Sequence, residues 1–225
     1  TSNFITPIIV SNNMQEVNVV MVSEDNNILT VTPVILSKSI SYKDNSPIVY
    51  EFQDLSCVIV KHSNPCGFGI GKSNVEAYLN AVSTDPVSYF GGIVAFNNEV
   101  DEDVANLMSK VFLECVIAPS FSDRAVTVLS KKKNLRLIKL TSEDFKSKSN
   151  KLIVKSVFNG FLYQNRDKMI NSVEDFNIVT DLKPTNDQLK AILIGWKIVK
   201  SVKSNAIVFA NDKKTLGIGA GQMSR

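Results

Sequence analysis

One short stretch of the chain combines residue types suited to acid–base chemistry. His62 is the only histidine among the 225 residues, and Lys61 precedes it at the end of an apolar run. Consecutive strand residues point to opposite faces, so both side chains can share a pocket only if the strand ends there. The turn-forming segment 63–65 predicts that it does. The pair would then offer a base that titrates near neutrality and a positive charge for a developing oxyanion, although a purely structural histidine also fits this pattern.

A glycine-rich run follows the histidine. Gly67, Gly69 and Gly71 occupy alternate positions, and Lys72-Ser73 comes next, so strand, loop and helix stand in the order of a phosphate-binding loop. The first glycine of that motif would have to be residue 66, which is Cys66. The dinucleotide-binding fingerprint also fails, because it needs a different glycine spacing. We therefore predict that residues 62–72 form a loop that brings a base and a cation into one pocket.

The cysteines do not predict a metal site. Cys57, Cys66 and Cys115 are an odd number at no metal-binding spacing. The ligand set of a zinc deaminase is absent, since Asn64 stands where its glutamate belongs and no second cysteine follows Cys66 at the required distance. A nucleophilic pair of Cys66 and His62 is conceivable, but nothing in the sequence marks Cys66 as a thiol of low pKa.

The composition excludes several function classes. Lys+Arg 25 against Asp+Glu 22 gives a net charge of +3, which is too balanced to predict nucleic-acid binding. No apolar run approaches the ~20 residues of a membrane span, and the N-terminus lacks a signal pattern. Together with the unpaired cysteines, these features predict a reduced, cytoplasmic compartment. Because the chain begins at Thr1, we expect a processed chain or a fragment.

Strands and helices alternate between residues 55 and 140. Ser73 and Glu76 form the pattern of a capping box, which predicts a helix to about residue 82. Asp101 and Ser122 open two further helices, the first with apolar residues at helical spacing. The four predicted strands are 55–61, 91–96, 115–119 and 135–140. This alternation predicts an α/β fold with a largely parallel sheet in three layers.

The flanking regions are less regular. Residues 1–36 are predicted to form short strands or an irregular arm, and the polar segment 141–151 is predicted to be a linker. Downstream, a helix is predicted from the N-terminal signature at 184–188. The strands predicted in this part are 152–157, 161–164, 176–179 and 206–210.

The two glycine runs suggest an internal repeat. Gly217, Gly219 and Gly221 follow the apolar run at 206–209 much as the first glycine run follows the apolar run at 57–60. Similar offsets from similar strands are typical of duplicated subdomains.

Several long motifs stand in the same order as in one enzyme family. They are Val-Lys-His-Ser-Asn-Pro-Cys-Gly at 60–67, Thr-Asp-Pro-Val-Ser-Tyr-Phe-Gly-Gly-Ile-Val-Ala-Phe-Asn at 84–97, Val-Ile-Ala-Pro at 116–119, Val-Lys-Ser-Asn-Ala-Ile-Val-Phe-Ala at 202–210 and Gly-Ile-Gly-Ala-Gly-Gln-Met-Ser-Arg at 217–225. On these motifs, residues 40–225 resemble the AICAR formyltransferase (transformylase) portion of the bifunctional AICAR formyltransferase/IMP cyclohydrolase family of purine biosynthesis.

The resemblance implies a fold and an activity. The fold would be built from cytidine-deaminase-like subdomains without zinc, with the arm and first subdomain at 1–145, linker strands and a long helix at 146–203, and the start of a second subdomain at 204–225. The activity would be formyl transfer from the co-substrate 10-formyltetrahydrofolate to the exocyclic amine of AICAR, giving FAICAR. The family resemblance also implies a homodimer with sites at the interface, and neither nucleic acid nor membrane as a partner.

The same resemblance implies roles for individual residues. His62 would be the general base, Lys61 would stabilise developing negative charge, and Asn205 would position the reacting groups. The residues expected near the folate are Gly91, Glu114 and Pro119. The residues expected near the nucleotide are Arg225, which would hold the phosphate, and Asp44, which stands where the family typically has asparagine.

Other parts of the family pattern are missing. An Arg-Tyr-Gly motif that reaches the phosphate of the partner subunit's substrate has no counterpart before residue 40, and the cyclohydrolase domain is absent. The family also continues past the position of Arg225 with most of a second subdomain. The alternative hypothesis is therefore an incomplete, non-catalytic fragment that binds nucleotide or folate.

Overall fold

The computed structural model of the protein describes residues 6–13, 16–22, 28–30, 46–143, 153–158, 160–164 and 172–223. The chain divides into two compact units, Thr1–Asp44 and Asn45–Arg225. In the first unit, three strands form an antiparallel sheet in the order β1-β2-β3. They are β1 Thr6–Asn13, β2 Glu16–Val22 and β3 Ile28–Thr30. The strands predicted within residues 1–36 are thus confirmed, whereas the boundary predicted at residue 145 stays a prediction.

The second unit contains a five-stranded sheet in the order β5-β4-β6-β7-β8. Its strands are β4 Ser56–Lys61, β5 Asn64–Ile70, β6 Ile93–Phe96, β7 Cys115–Ala118 and β8 Arg136–Lys139. The α/β class is confirmed, but the largely parallel sheet is wrong. Strands β6, β7 and β8 are parallel, while β4 runs antiparallel to both of its neighbours. Only two residues separate β4 from β5, and a connection that short can join only antiparallel strands.

Three helices follow the strands at the predicted positions. They are α1 Asn74–Val82, α2 Glu102–Ser109 and α3 Asp123–Leu129. Their N-caps are Ser73, Asp101 and Ser122, and each cap side chain accepts a hydrogen bond from a backbone N–H in the first turn. The capping box predicted at Ser73 is half formed, because the carboxylate of Glu76 accepts from the N–H of Lys72 at 2.8 Å.

Both faces of the sheet are buried, which confirms the three-layer arrangement. One face packs against the three helices through the cluster that contains Ile59, Val94 and Val116. Val58 and Val60 are also buried and point to the opposite face, because side chains alternate along a strand. On that side a 3₁₀ helix, Ser46–Glu51, lies against β4 and β6.

A long helix, α4 (Asn186–Val199), lies against the 3₁₀ helix. Thr185 and Gln188 form a complete capping box at its start, as the signature at 184–188 predicted. Near its C-terminal end, Lys200 forms an ion pair with Glu51 at 2.6 Å between two largely buried side chains. This pair joins the N-terminal part of the second unit to the helix that precedes the last hairpin.

Two further hairpins complete the described part of the chain. They are β9 Ile153–Val157 with β10 Gly160–Gln164, and β11 Ile207–Ala210 with β12 Thr215–Gly219. The strand predicted at 176–179 is wrong, since this segment pairs with no strand in the described chain and Val179 is 84% exposed. β-branched residues favour a strand only where a neighbouring strand and a buried face are available.

The loop predicted over residues 62–72 is also wrong, because Gly67 and Gly69 lie inside strand β5 and Gly71 directly follows it. A Cβ on Gly67 would lie 2.0 Å from the carbonyl oxygen of Ala81, and one on Gly69 would lie 2.6 Å from that of Ala77. A Cβ on Gly71 would likewise lie 2.4 Å from the backbone nitrogen of Ala77. Glycines at alternate positions thus leave one face of the strand bare, and the backbone of α1 rests directly on it.

The second glycine run occupies an equivalent register. Gly67 and Gly69 pair with Ile59 and Cys57 across the first hairpin, and Gly217 and Gly219 pair with Phe209 and Ile207 across the second. Both glycine runs thus lie in the return strand of a hairpin, while the duplicated subdomains stay a prediction. At Gly217, however, a Cβ would meet no atom within 4 Å among the residues that the structure describes.

Candidate active site

A strained two-residue turn presents the histidine. Lys61 ends β4 and pairs with Asn64, the first residue of β5, so His62 and Ser63 alone make the connection. Their φ angles are 52° and 64°. Positive φ at both central residues is the signature of a type I′ turn, which asparagine and glycine normally occupy. Non-glycine residues held in this region cost roughly 1–2 kcal/mol each and cluster at functional sites.

Lys61 and His62 line the same cavity, which has a volume of about 420 Å³. The sequence predicted a turn that brings both side chains into one pocket, and the structure contains such a turn. It is formed by His62 and Ser63, whereas the predicted segment 63–65 extends into β5. The cavity lies between the β4–β5 hairpin, the segment after α1, and β12 with its continuation. The polar or reactive side chains that line it are Lys61, His62, Asn64, Cys66, Thr84, Asp85, Ser88 and Gln222. This volume is within the usual range for small-molecule sites.

Asp85 is a cavity residue that the sequence analysis missed. Its Oδ1 atom accepts hydrogen bonds from the N–H groups of Val87 at 3.1 Å and Ser88 at 2.8 Å. The Ser88 hydroxyl and then the Ser88 N–H lower the pKa of Asp85, and the positive charge of Lys61 acts in the same direction. The signal available in the sequence was the Asp-Pro-Val-Ser segment, which is typical of an Asx turn, but nothing there indicates which cavity the turn lines.

Replacing Asp85 with asparagine should lower the stability of the fold in a pH-dependent way. Because the pKa of the folded-state carboxyl is lowered, its contribution is present above the unfolded-state pKa of about 4 and is lost as the pH falls through the folded-state pKa. We expect the free energy of unfolding to fall by less than about 1 kcal/mol at pH 6, and we expect no difference at a pH below the folded-state pKa. Urea unfolding of both proteins at several pH values measures it. In Ser88→Ala the pH at which the contribution disappears should move upward, and an unchanged profile would contradict the assignment.

Cys66 lines the cavity as a protonated thiol. Burial is the main cause that raises its pKa to about 12, and the negative charge of Asp85 raises it further, while Lys61 acts in the opposite direction. A nucleophilic cysteine needs a lowered pKa, so the pairing of Cys66 with His62 is disfavoured. The thiol group therefore contributes shape to the cavity.

The residues expected near the folate separate into two groups. Val60 pairs with Ile93, and Ile93 pairs with Cys115, so the C-terminal end of β4 lies next to the N-terminal ends of β6 and β7. Gly91 and Glu114 lie at this end of the sheet together with Lys61 and His62. Gly91 has a φ of 71° and donates its N–H to the carbonyl of Phe112 at 2.8 Å, so its turn requires glycine. Pro119 follows the opposite end of β7, about 13 Å along the strand from Cys115.

Asn205 is not a lining residue of the cavity, but its backbone contacts the segment that continues β12. A Cβ on Gly221 would lie 2.2 Å from the carbonyl oxygen of Ser204, so Gly221 packs directly on the peptide that leads into Asn205. The neighbours of Gly221, Ala220 and Gln222, line the cavity. In addition, Asn64 Oδ1 accepts from the N–H of Lys203 at 2.9 Å, which ties the β4–β5 hairpin to this segment. Asp44 and Arg225 lie outside the described residues.

The described residues contain neither a metal-binding cluster nor a membrane-spanning helix. Within that part of the chain, no group of three or more His, Cys, Asp or Glu side chains is placed to hold a metal ion. None of the helices described there has the length and apolar character needed to cross a membrane. The absence of zinc remains a prediction from the missing ligand set.

The family model described as "AICARFT/IMPCHase bienzyme" matches residues 12–225. The chain belongs to this family. Members with high identity are the bifunctional purine biosynthesis proteins PurH of Listeria innocua, at 50% over 178 residues, and of Caldicellulosiruptor saccharolyticus, at 48% over 180 residues. Each alignment covers 79% of this chain and 34% of the relative. The chain of this AICARFT/IMPCHase family member thus spans about a third of the length of the curated relatives that it matches.

Solved structures with a detectable likeness are more distant. A dCMP deaminase from the cyanophage S-TIM5 superimposes with a TM-score of 0.35 and 13% identity, covering 46% of this chain and 98% of that protein. RibD of Acinetobacter baumannii gives a TM-score of 0.34 and 16% identity, covering 49% of this chain and 36% of that protein. A likeness of this size supports no inference about fold class, ligand or activity.

Proposed function

We propose that this protein transfers the formyl group of 10-formyltetrahydrofolate to AICAR, giving FAICAR on the route to IMP. Family membership supports a role in purine biosynthesis. The observation that carries the finer proposal is that Lys61 and His62 line one cavity of about 420 Å³ on a strained turn. A base and a cation held together in a concave site are what formyl transfer to a weakly nucleophilic amine requires.

The proposed reaction is an acyl transfer between two nitrogen atoms. The exocyclic amine of AICAR attacks the formyl carbon, a C–N bond forms, and the bond from that carbon to N10 of the folate breaks. His62 takes the proton that the amine loses, and a proton is delivered to N10 as tetrahydrofolate leaves. Lys61 stabilises the negative charge that develops on the formyl oxygen or assists the leaving folate, and Asn205 orients the reacting groups.

Further residues extend the proposed site beyond the cavity. Gly91 and Glu114 lie at the same end of the sheet as the catalytic pair and are proposed to contact the folate. Arg225 and Asp44 are proposed to lie near the nucleotide. Pro119 remains a proposed folate neighbour, but it would have to act from the opposite end of the sheet. A cytoplasmic homodimer is proposed as the active form.

Formyl transfer by the 225-residue chain, followed as tetrahydrofolate formation with AICAR as acceptor, tests the proposal. Turnover that depends on both substrates would support it. Binding of AICAR or of the folate without turnover would contradict it for this chain and would favour the alternative role as a non-catalytic binding fragment.

Replacing Lys61 with methionine should reduce kcat by about 10²- to 10³-fold, because a single group that stabilises a developing oxyanion contributes on this scale. Methionine keeps the unbranched side chain and removes the charge. Lys61→Arg, which keeps a positive charge, should recover part of the lost rate. Equal rates for the methionine and arginine variants would show that the charge at this position is not used.

A further inference from the structure

A buried threonine, Thr215, and a half-buried one, Thr84, join the walls of the cavity. Thr215, the first residue of β12, has an exposed fraction of 0%, and Thr84 follows the C-terminus of α1. The hydroxyl of Thr84 donates to the carbonyl oxygen of Thr215 at 2.7 Å, and the two hydroxyl oxygens are 2.8 Å apart. Thr215 Oγ1 also accepts from the N–H of Phe68 in β5 at 2.9 Å. We call these three contacts the threonine latch.

The shortest contacts favour one assignment of the hydroxyl protons. Each hydroxyl has one proton to donate and two lone pairs that accept. Thr84 uses its proton on the Thr215 carbonyl, so the proton between the two hydroxyl oxygens comes from Thr215. The carbonyl of Phe68, at 3.3 Å from Thr215 Oγ1, is the more distant of the two possible acceptors for it. Valine at position 215 would leave the N–H of Phe68 without this acceptor, and valine at position 84 would remove the donor to the Thr215 carbonyl.

The latch connects three segments that form the cavity. Thr84 is itself a lining residue and precedes Asp85, and β12 contributes Gly217 and Ile218. The third segment is β5, which continues the hairpin that presents His62. Thr215 bonds to both other segments, next to the Gly69–Lys214 bridge and the bond that the Ile70 N–H donates to the Lys213 carbonyl at 2.7 Å.

We propose that Thr215 is a positioning residue, whose hydroxyl sets the separation between the wall formed by β12 and the wall formed by Thr84 and Asp85. The width of the cavity in which Lys61 and His62 act follows from that separation. For its effect on turnover, the inference rests on the proposed formyl transfer. The latch itself can be tested without turnover.

The test compares four variants of the 225-residue chain. Thr215→Val and Thr84→Val each break the latch with little change in side-chain shape, and Thr215→Ser keeps the hydroxyl. Ser56→Ala is the matched control, because Ser56 is also 0% exposed and donates to the Val49 carbonyl at 3.3 Å, but it lies at the other end of β4 from Lys61. The melting temperature of each variant separates a loss of general stability from a local change.

The first readout is the rate at which a thiol reagent labels Cys66. This residue lines the cavity, whereas Cys57 and Cys115 are 0% exposed. We expect labelling to be about tenfold faster in Thr215→Val and Thr84→Val, since opened walls admit the reagent, and unchanged in Thr215→Ser and Ser56→Ala. The resonance of His62, the only histidine, should shift in the same two valine variants. Labelling and resonances that match those of Ser56→Ala would overturn the proposal.

The second readout is kinetic. Thr215→Val should lower kcat for formyl transfer by about tenfold or more, because small displacements of reacting groups are costly, and Thr215→Ser should restore it. If the unaltered chain shows no turnover, the proposed function fails, while Cys66 labelling still decides the latch. If turnover is present and Thr215→Val leaves kcat unchanged despite faster labelling, the positioning role is overturned.

Discussion

Replacing His62 with asparagine should lower kcat for formyl transfer by about 10²- to 10⁴-fold while leaving the fold intact. Asparagine tolerates the positive φ of 52° found at this position and is favoured in type I′ turns, so the hairpin should form as before. The substitution removes the group proposed to take a proton from the amine of AICAR. Steady-state rates with AICAR and 10-formyltetrahydrofolate measure the loss, and circular dichroism verifies the fold.

Ser63→Gly provides the matched control for this prediction. Ser63 has a φ of 64°, and glycine relieves the strain of that conformation without touching His62. We expect this variant to retain its rate within a few-fold and to gain up to about 1 kcal/mol of stability. If the asparagine variant keeps its full rate, then His62 is not the base, whatever the behaviour of the control.

Replacing Gly69 with alanine should destabilise the fold by roughly 3 kcal/mol or more, because the added methyl group has no space. Its Cβ would lie 2.5 Å from the Cβ of Asn80 and 2.6 Å from the carbonyl oxygen of Ala77, so the α1 backbone would have to move. Gly69 does not have a positive φ, so the cost is steric. For a domain of this size the loss corresponds to a fall of roughly 6–12 °C in melting temperature.

Gly217→Ala is the control that the repeated hairpin supplies. Gly217 lies in the return strand of the second hairpin, and its Cβ would meet no atom within 4 Å in the described part of the chain. We expect a change within about 0.5 kcal/mol. Equal losses for the two alanine variants would show that the glycines act through backbone conformation, and the close packing of α1 on β5 would not be the reason for the run.

Local features of the second unit could be predicted because their causes are local. Ser73, Asp101 and Ser122 each bond to an N–H three residues ahead, so type and spacing alone indicate where the helices begin. The cavity position of Lys61 and His62 followed from a strand that had to end between them. In both cases the interacting groups are neighbours in the chain.

The errors arose where a pattern has two physical explanations. Alternate glycines are typical of a loop that approaches a phosphate, but they also allow a helix to lie on a strand, and the position of α1 decides between them. Because the glycine run was assigned to a loop, strand β5 was not predicted, and the antiparallel β4–β5 hairpin was missing from the predicted sheet. The segment 176–179 has strand-forming residues but no neighbouring strand in the described chain.

The sequence by itself determined the α/β class, the helix starts and the placement of Lys61 and His62 together at a strand end. Each depends on contacts between residues a few positions apart. Only the tertiary structure decided that Thr84 and Asp85 line this cavity and that Thr215 bonds to Thr84. Thr84 and Thr215 are 131 residues apart in the chain, and Phe68 and Thr215 are 147 apart. Contacts at such distances depend on how the second hairpin docks on β5, and no local pattern specifies that docking.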